Sequence, residues 1–258
     1  MAKKRKKGDA LTELLGAATH KVLSELILEL ATEFPEVRRE CFDFLKSQVS
    51  ISKSLEKRSE GEAILALWSE LVPDLEDLDS CGGGDYATED LVAELLDQIR
   101  ERMITKNVDN DHRQEILNLV LPYIKSGNAG MDDMLYEVAY AACYDDDDLR
   151  GLAQAFEAMS SEWKVGCARD IYRRVGDRDK YLELRARRME YGADYHDLAT
   201  FYWDSGEKEK ALQVAEEGLC KAQGRMDELR EFAMARAQEA GDRLFSRSSQ
   251  SPYRAGGS

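Results

Sequence analysis

The feature that most restricts how this chain can fold is a segment written twice. Ile171-Tyr172-Arg173-Arg174-Val175-Gly176-Asp177-Arg178-Asp179-Lys180-Tyr181-Leu182 is answered 30 positions later by Phe201-Tyr202-Trp203-Asp204-Ser205-Gly206-Glu207-Lys208-Glu209-Lys210-Ala211-Leu212. In both copies aromatic or apolar residues stand four or five places before a glycine. A charged turn follows, and then a second apolar stretch. Such a unit is a helix-turn-helix hairpin, which cannot bury its apolar face alone and therefore stacks on its neighbours. An all-α fold is expected.

The rest of the chain agrees with that expectation. Leu11, Leu14 and Leu15 share a helical face, and Thr19 reads as the N-cap of a helix carrying Val22, Leu23, Leu26, Ile27 and Leu30. Pro35 opens the next helix, where its missing N–H is harmless. A further helix holds Ile64, Leu65, Leu67, Trp68 and Leu71 and is expected to stop near Pro73. Apolar periodicity fails between Asp74 and Ala87, around Cys81-Gly82-Gly83-Gly84-Asp85. No Gly-Lys-Ser/Thr follows the glycines and no strand precedes them, so a flexible linker is expected there, not a phosphate loop.

Beyond the linker, Thr88 reads as a cap, and Asp111 with Gln114 as a capping box. Pro122 predicts a kink or a restart, and Gly127 a helix end. Asp132 and Asp133 open a helix. Asp145–Asp148 lacks the alternating ligands and central glycine of a calcium loop and reads as a turn with an N-cap. The expected organisation is a basic disordered arm over 1–8 and an N-terminal helical sub-domain over 9–78. A Gly-rich linker at 79–87, a helical repeat domain at 88–246 and a disordered tail at 247–258 complete it.

Composition narrows the function classes. The net charge is −15, from 51 acidic and 36 basic residues, a field that opposes non-specific nucleic-acid binding. No apolar run approaches the roughly 20 residues of a membrane span, and the N-terminus lacks the apolar core of a secretory signal. A cytoplasmic chain without membrane contact is expected. Five cysteines at least 24 residues apart form no metal-ligand spacing and read as free thiols. His20, His112 and His196 are scattered, with no local pairing of nucleophile and base. No catalytic residue, metal or cofactor is assigned.

In the second copy Leu198, Ala199, Tyr202, Gly206, Ala211, Ala215 and Leu219 fall at the intervals of a tetratricopeptide repeat, which they resemble. The first copy departs from that pattern, with Tyr181 and Arg185 where the second has Ala211 and Ala215. A partial third copy follows as Ala233, Ala237 and Gly241. The expectation becomes an α-solenoid of helical hairpins with tetratricopeptide-like repeats in the C-terminal half. Leu23–Arg38, Met131–Ala142 and Trp163–Leu219 together resemble the helical region that follows the zinc module in bacterial SWIM zinc-finger proteins. That resemblance implies a helical platform. The family's zinc motif, Cys-x-Cys then Cys-x-His, has no match here, so zinc or DNA binding by that module is not implied.

The candidate contact surface lies on the repeat. Between Trp163 and Tyr191 nine basic residues face five acidic ones. They are either a solvated face paired to neighbouring acids or an Arg-rich groove for an acidic peptide or phosphate backbone. The favoured function is a non-enzymatic scaffold that takes a partner protein on a concave surface. By position in the repeat, His196, Thr200 and Trp203 are expected to line that surface, with Asp170, Arg173 and Arg174 alongside, while Ala199 and Tyr202 are buried between helices. The alternative is nucleic-acid binding through Lys3, Lys4, Arg5, Lys6 and Lys7 with Arg185 and Arg188.

Overall fold

The structure, a computed structural model, describes residues 9–159 and 161–248, the last nine of these by backbone course alone. Lys3–Lys7 and residues 249–258 of the expected tail lie outside the described residues. Thirteen helices are present among the described residues: α1 (Ala10–Ala17), α2 (His20–Glu33), α3 (Pro35–Gln48), α4 (Lys53–Cys81), α5 (Tyr86–Thr105), α6 (Asn110–Ser126), α7 (Asp132–Ala142), α8 (Asp146–Ala158), α9 (Glu162–Arg174), α10 (Arg178–Ala186), α11 (Gly192–Asp204), α12 (Lys208–Lys221) and α13 (Asp227–Ser248). The only extended pairing among them is an isolated bridge between Tyr191 and Gln223. The fold is all-α. It divides into two compact units between Ala155 and Phe156, inside α8.

The first unit is built on α4, which packs against α3, α5 and α6. Its buried stripe of Ile64, Leu67, Leu71, Leu75 and Leu78 is at most 1% exposed. The stripe explains why the helix does not stop at Pro73, as expected, but runs through it to Cys81. An interior proline costs about 3 kcal/mol. Burying Leu75 and Leu78 beyond it returns roughly 1.5–3 kcal/mol each. The helix ends instead at Gly82, whose φ of 78° is open to glycine at no steric cost. The glycine run is a short turn between α4 and α5, both within this unit.

Two caps differ from expectation. Asp85, not Thr88, caps α5, accepting from the amides of Ala87 and Thr88. Asp109 caps α6, accepting from His112 N at 3.1 Å, while Gln114 reaches Asp148 at 2.6 Å. The expected caps of α2 by Thr19 and the end of α6 at Gly127 are present, and α6 runs unbroken through Pro122. Asp145 closes its turn by accepting from the amides of Asp147 and Asp148.

Polar groups tie these helices together. Arg113, 8% exposed, donates to Met103 O at 2.6 Å and Ala141 O at 2.8 Å. Its charge thereby meets the last turns of α5 and α7, the negative ends of their dipoles. Glu60, 7% exposed, accepts from Lys46 of α3 at 2.7 Å and Arg102 of α5 at 3.2 Å. Arg102 also bonds Asp43 at 2.5 Å. Burial alone would raise the Asp43 pKa, but the hydrogen bond and charge of Arg102, with Lys46, hold it below the ordinary carboxylate range.

A depressed carboxylate pKa stabilises the fold at and above its ordinary value, about 4, and that contribution is lost as pH falls through the folded value. Asp43→Asn should therefore lower the melting temperature at neutral pH. The gap from the parent protein should narrow below about pH 4. A gap independent of pH would show that the Asp43 charge does not hold α3 to α5.

Candidate partner-binding surface of the repeat hairpins

The duplicated segment forms two hairpins with matching turns. α9 and α11 end at Arg174 and Asp204, α10 and α12 begin at Arg178 and Lys208, and the glycines between them have φ of 72° and 83°. In each turn the amide of the residue after the glycine donates five residues back, Asp177 to Tyr172 O and Glu207 to Tyr202 O, both at 2.9 Å. A left-handed glycine with this bond satisfies carbonyls that a helix end leaves orphaned. The 30-residue repeat is thus a repeat of turn chemistry.

The hairpins differ in what lies between their helices. In the second, Ala211 and Ala215 are fully buried in a core with Tyr195, Ala199, Trp203, Leu229 and Phe232. In the first, Tyr181 and Arg185 occupy the corresponding places, and both are buried. Their length carries them to α11. The Tyr181 hydroxyl donates to Asp197 at 3.0 Å, and Arg185 donates to Asp194 at 2.7 Å and to Asp197. Arg173 of α9 reaches the same Asp197 at 2.9 Å, and Arg169 stands 3.8 Å away. One carboxylate of α11 therefore gathers donors from two other helices, α9 and α10. Burial and the neighbouring Asp197 charge push the Tyr181 pKa upward, which keeps its proton in place as a donor.

Asp197 was not among the expected site residues. The spacing of Asp194, Asp197 and Asp204 at three and seven residues places three carboxylates on one helical face. That face is the counter-charge an Arg-rich neighbour needs. Arg173 bonds Asp204 as well, at 3.1 Å. Arg178 pairs with Glu207, Lys180 and Arg187 with Glu157 and Glu183, and Arg188 with Glu162 and Glu190. The basic strip is a paired face. Arg185, expected as a phosphate contact, is 3% exposed and its guanidinium is engaged by two carboxylates.

The expected concave set divides. Trp203 is a correction: it is only 9% exposed and packs edge-to-face on Phe232 of α13 at 6.1 Å, with Lys208 4.4 Å from its ring. His196 meets the same Phe232 at 5.6 Å, so α13 covers the face on which both were expected to be open. Thr200 is half-buried, whereas Asp170 and Arg174 are exposed on α9. Ala199 is fully buried, as its place in the repeat requires. Tyr202, expected between helices, is half-buried at the surface instead, with Arg178 and Lys210 within 5.6 Å of its ring.

Tyr202 opens onto a cleft of about 340 Å³. Leu182 and Ala186 of α10, Met189, Tyr195 and Leu198 of α11, and Val214 of α12 line it with Tyr202. Glu217 is the single charged residue of the lining, bonded by Lys221 at 2.8 Å.

A wider cleft in the first unit, about 630 Å³, holds Arg38 and Arg58. Both bond Glu62, at 2.6 and 3.1 Å. All five cysteines are free thiols, and burial with the nearby Asp148 charge pushes Cys143 up to about 12. Among the described residues no three His, Cys, Asp or Glu side chains group as a metal site. No helix among them is long and apolar enough to cross a membrane. Comparison of the chain with known protein families, with curated proteins and with solved structures returns no match.

Trp203→Ala should cost about 3 kcal/mol and lower the melting temperature sharply, as truncation of a buried aromatic does. An unchanged melt would return Trp203 to the surface. Asp197→Ala removes the shared acceptor of Arg185 and Tyr181 and should cost roughly 2–4 kcal/mol. Denaturant unfolding of both variants measures these losses. A loss below that of an exposed ion pair would show that Asp197 does not join the hairpins.

Proposed function

We propose that this protein is a non-enzymatic interaction scaffold whose repeat hairpins take a short apolar segment of a partner protein. A helical platform of the kind that accompanies the zinc module in SWIM zinc-finger proteins suits this reading. The observation that carries it is the cleft between α10, α11 and α12, whose lining is apolar or aromatic except for Glu217. Concave apolar surface with few polar groups is the usual form of a binding site. At about 340 Å³ the volume suits two or three side chains of a peptide segment. Arg178 and Lys210 flank the Tyr202 end, where both pair with Glu207.

Affinity capture with the whole chain and with a Val214→Glu variant tests the proposal. The parent should retain a stoichiometric partner, and the variant should lose it at least tenfold, since a charge placed in a desolvated contact weakens binding by more than about 1.4 kcal/mol. Circular dichroism and melting of the variant report whether its fold is kept. Undiminished capture by a folded variant would exclude the cleft as the binding surface.

A further inference from the structure

The wider cleft of the first unit lies among α2, α3, α4 and α6, and His112 of α6 is part of its lining. That ring is seated at the expense of α4. Gly61 stands buried inside the helix, and a Cβ there would fall 2.3 Å from the ring's Cγ and 2.5 Å from its Nδ1. Glycine is, after proline, the residue least suited to a helix interior. A local rule broken in this way, with a polar ring as the gain, is characteristic of functional positions. Asp109 holds the same ring, with both carboxylate oxygens 2.8 Å from Nδ1. Burial pushes the Asp109 pKa up, but the bonds from the His112 ring and amide hold it below the ordinary carboxylate range. An ionised carboxylate only accepts, so Nδ1 carries the proton and Nε2 of the neutral ring is an acceptor. Nε2 has no partner among the described residues and is not sealed from solvent.

Two guanidinium groups share this end of the cleft. Arg58 and Leu65 lie three and four residues from Gly61 along α4, and so flank the ring. Glu62 accepts from Arg58 Nε at 3.1 Å on one oxygen and from Arg38 Nη2 at 2.6 Å on the other. One carboxylate thus orients two cations while offsetting one of their two charges. Each guanidinium keeps further N–H groups for a second, bidentate partner. The hydroxyls of the lining add acceptors. Thr32 and Ser69 spend their protons on Leu28 O and Leu65 O, at 2.7 and 2.9 Å, which leaves only their oxygen lone pairs. Pro35, Leu65 and Ala66 supply aliphatic surface, and no aromatic ring other than His112 lines the cleft.

We propose that this cleft binds a small aliphatic carboxylic acid that bears a hydroxyl or amino group beside its carboxyl. The carboxylate takes the free donors of Arg38 and Arg58, and the neighbouring O–H or N–H donates to His112 Nε2. Arg58 flanks the seat of the ring, so donor and carboxylate belong on adjacent carbons of the ligand. The aliphatic body lies against Pro35, Leu65 and Ala66. An ion with acceptors alone would leave Nε2 unfilled, and an alcohol alone would leave the guanidinium pair unfilled. Few, well-placed polar groups on an otherwise small-residue wall are the usual form of a small-molecule site. The site stands apart from the cleft in the repeat hairpins, and the proposal does not rest on that cleft.

Isothermal titration calorimetry of the full chain with four related probes tests this. Leucic acid carries a hydroxyl beside its carboxylate and leucine an ammonium; isocaproate lacks that donor, and isoamyl alcohol lacks the carboxylate. Leucic acid or leucine should bind at least tenfold more tightly than isocaproate or isoamyl alcohol, because a site built to hydrogen-bond a group rejects the analogue without it. Which of the two binds identifies the donor. His112→Asn keeps an N–H for Asp109 and removes only Nε2, and should lower affinity for the bound probe at least fivefold. Arg58→Gln, at a side chain 70% exposed, should weaken the same probe about tenfold and leave melting unchanged. Circular dichroism and melting report whether each variant keeps its fold. Failure of both leucic acid and leucine to bind at millimolar concentration would overturn the proposal. Equal affinity for isocaproate, or undiminished binding by a folded His112→Asn variant, would do the same.

Discussion

Each unit is tied across its helices by a carboxylate that several cations share. Asp197 takes Arg173 from α9 and Tyr181 and Arg185 from α10, and Glu60 takes Lys46 from α3 and Arg102 from α5. Removing a carboxylate from water is costly, and a single partner seldom repays it. Several donors do so, and the geometry they need is met in one arrangement of the helices. These contacts therefore select a packing more than they add stability. The apolar stripes of α4 and α11 supply the driving force, and the shared acids choose how the helices sit.

The departures of the first repeat from the second belong to the same logic. Alanines at 211 and 215 let α12 lie close against α11. Tyr181 and Arg185 are too large for that role, and in place of close approach they span the gap to the next hairpin. The ring of Tyr181 lies 4.2 Å from that of Phe201, so apolar contact and hydrogen bond come from one side chain. What reads as degeneracy in the repeat is the joint between its copies.

The surfaces left over have distinct characters. The Arg-rich strip is neutralised by its own acids and offers little to an anion. The cleft beside Tyr202 is small and apolar, and α1–α3 leave most of their large apolar side chains exposed. In a chain of net charge −15 these two apolar surfaces stand out from an acidic background.

Local chemistry was readable from the chain itself. Thr19, Pro35, Gly127, Gly176 and Gly206 mark helix ends through interactions that close within five residues. Helix content and the hairpin repeat followed from the spacing of apolar residues, because that spacing alone decides whether one face of a helix can be buried. Tertiary structure decided the rest. Whether Trp203 or Tyr202 turns inward depends on Phe232, about thirty residues away, and the path through Pro73 depends on partners for Leu75 and Leu78. At Gly61 a Cβ would fall 2.3 Å from the His112 ring, a close approach that no local pattern announces. Asp197 acquires its role from arginines on two other helices. A helix presents several faces to its neighbours, and its own periodicity cannot say which neighbour will cover each one.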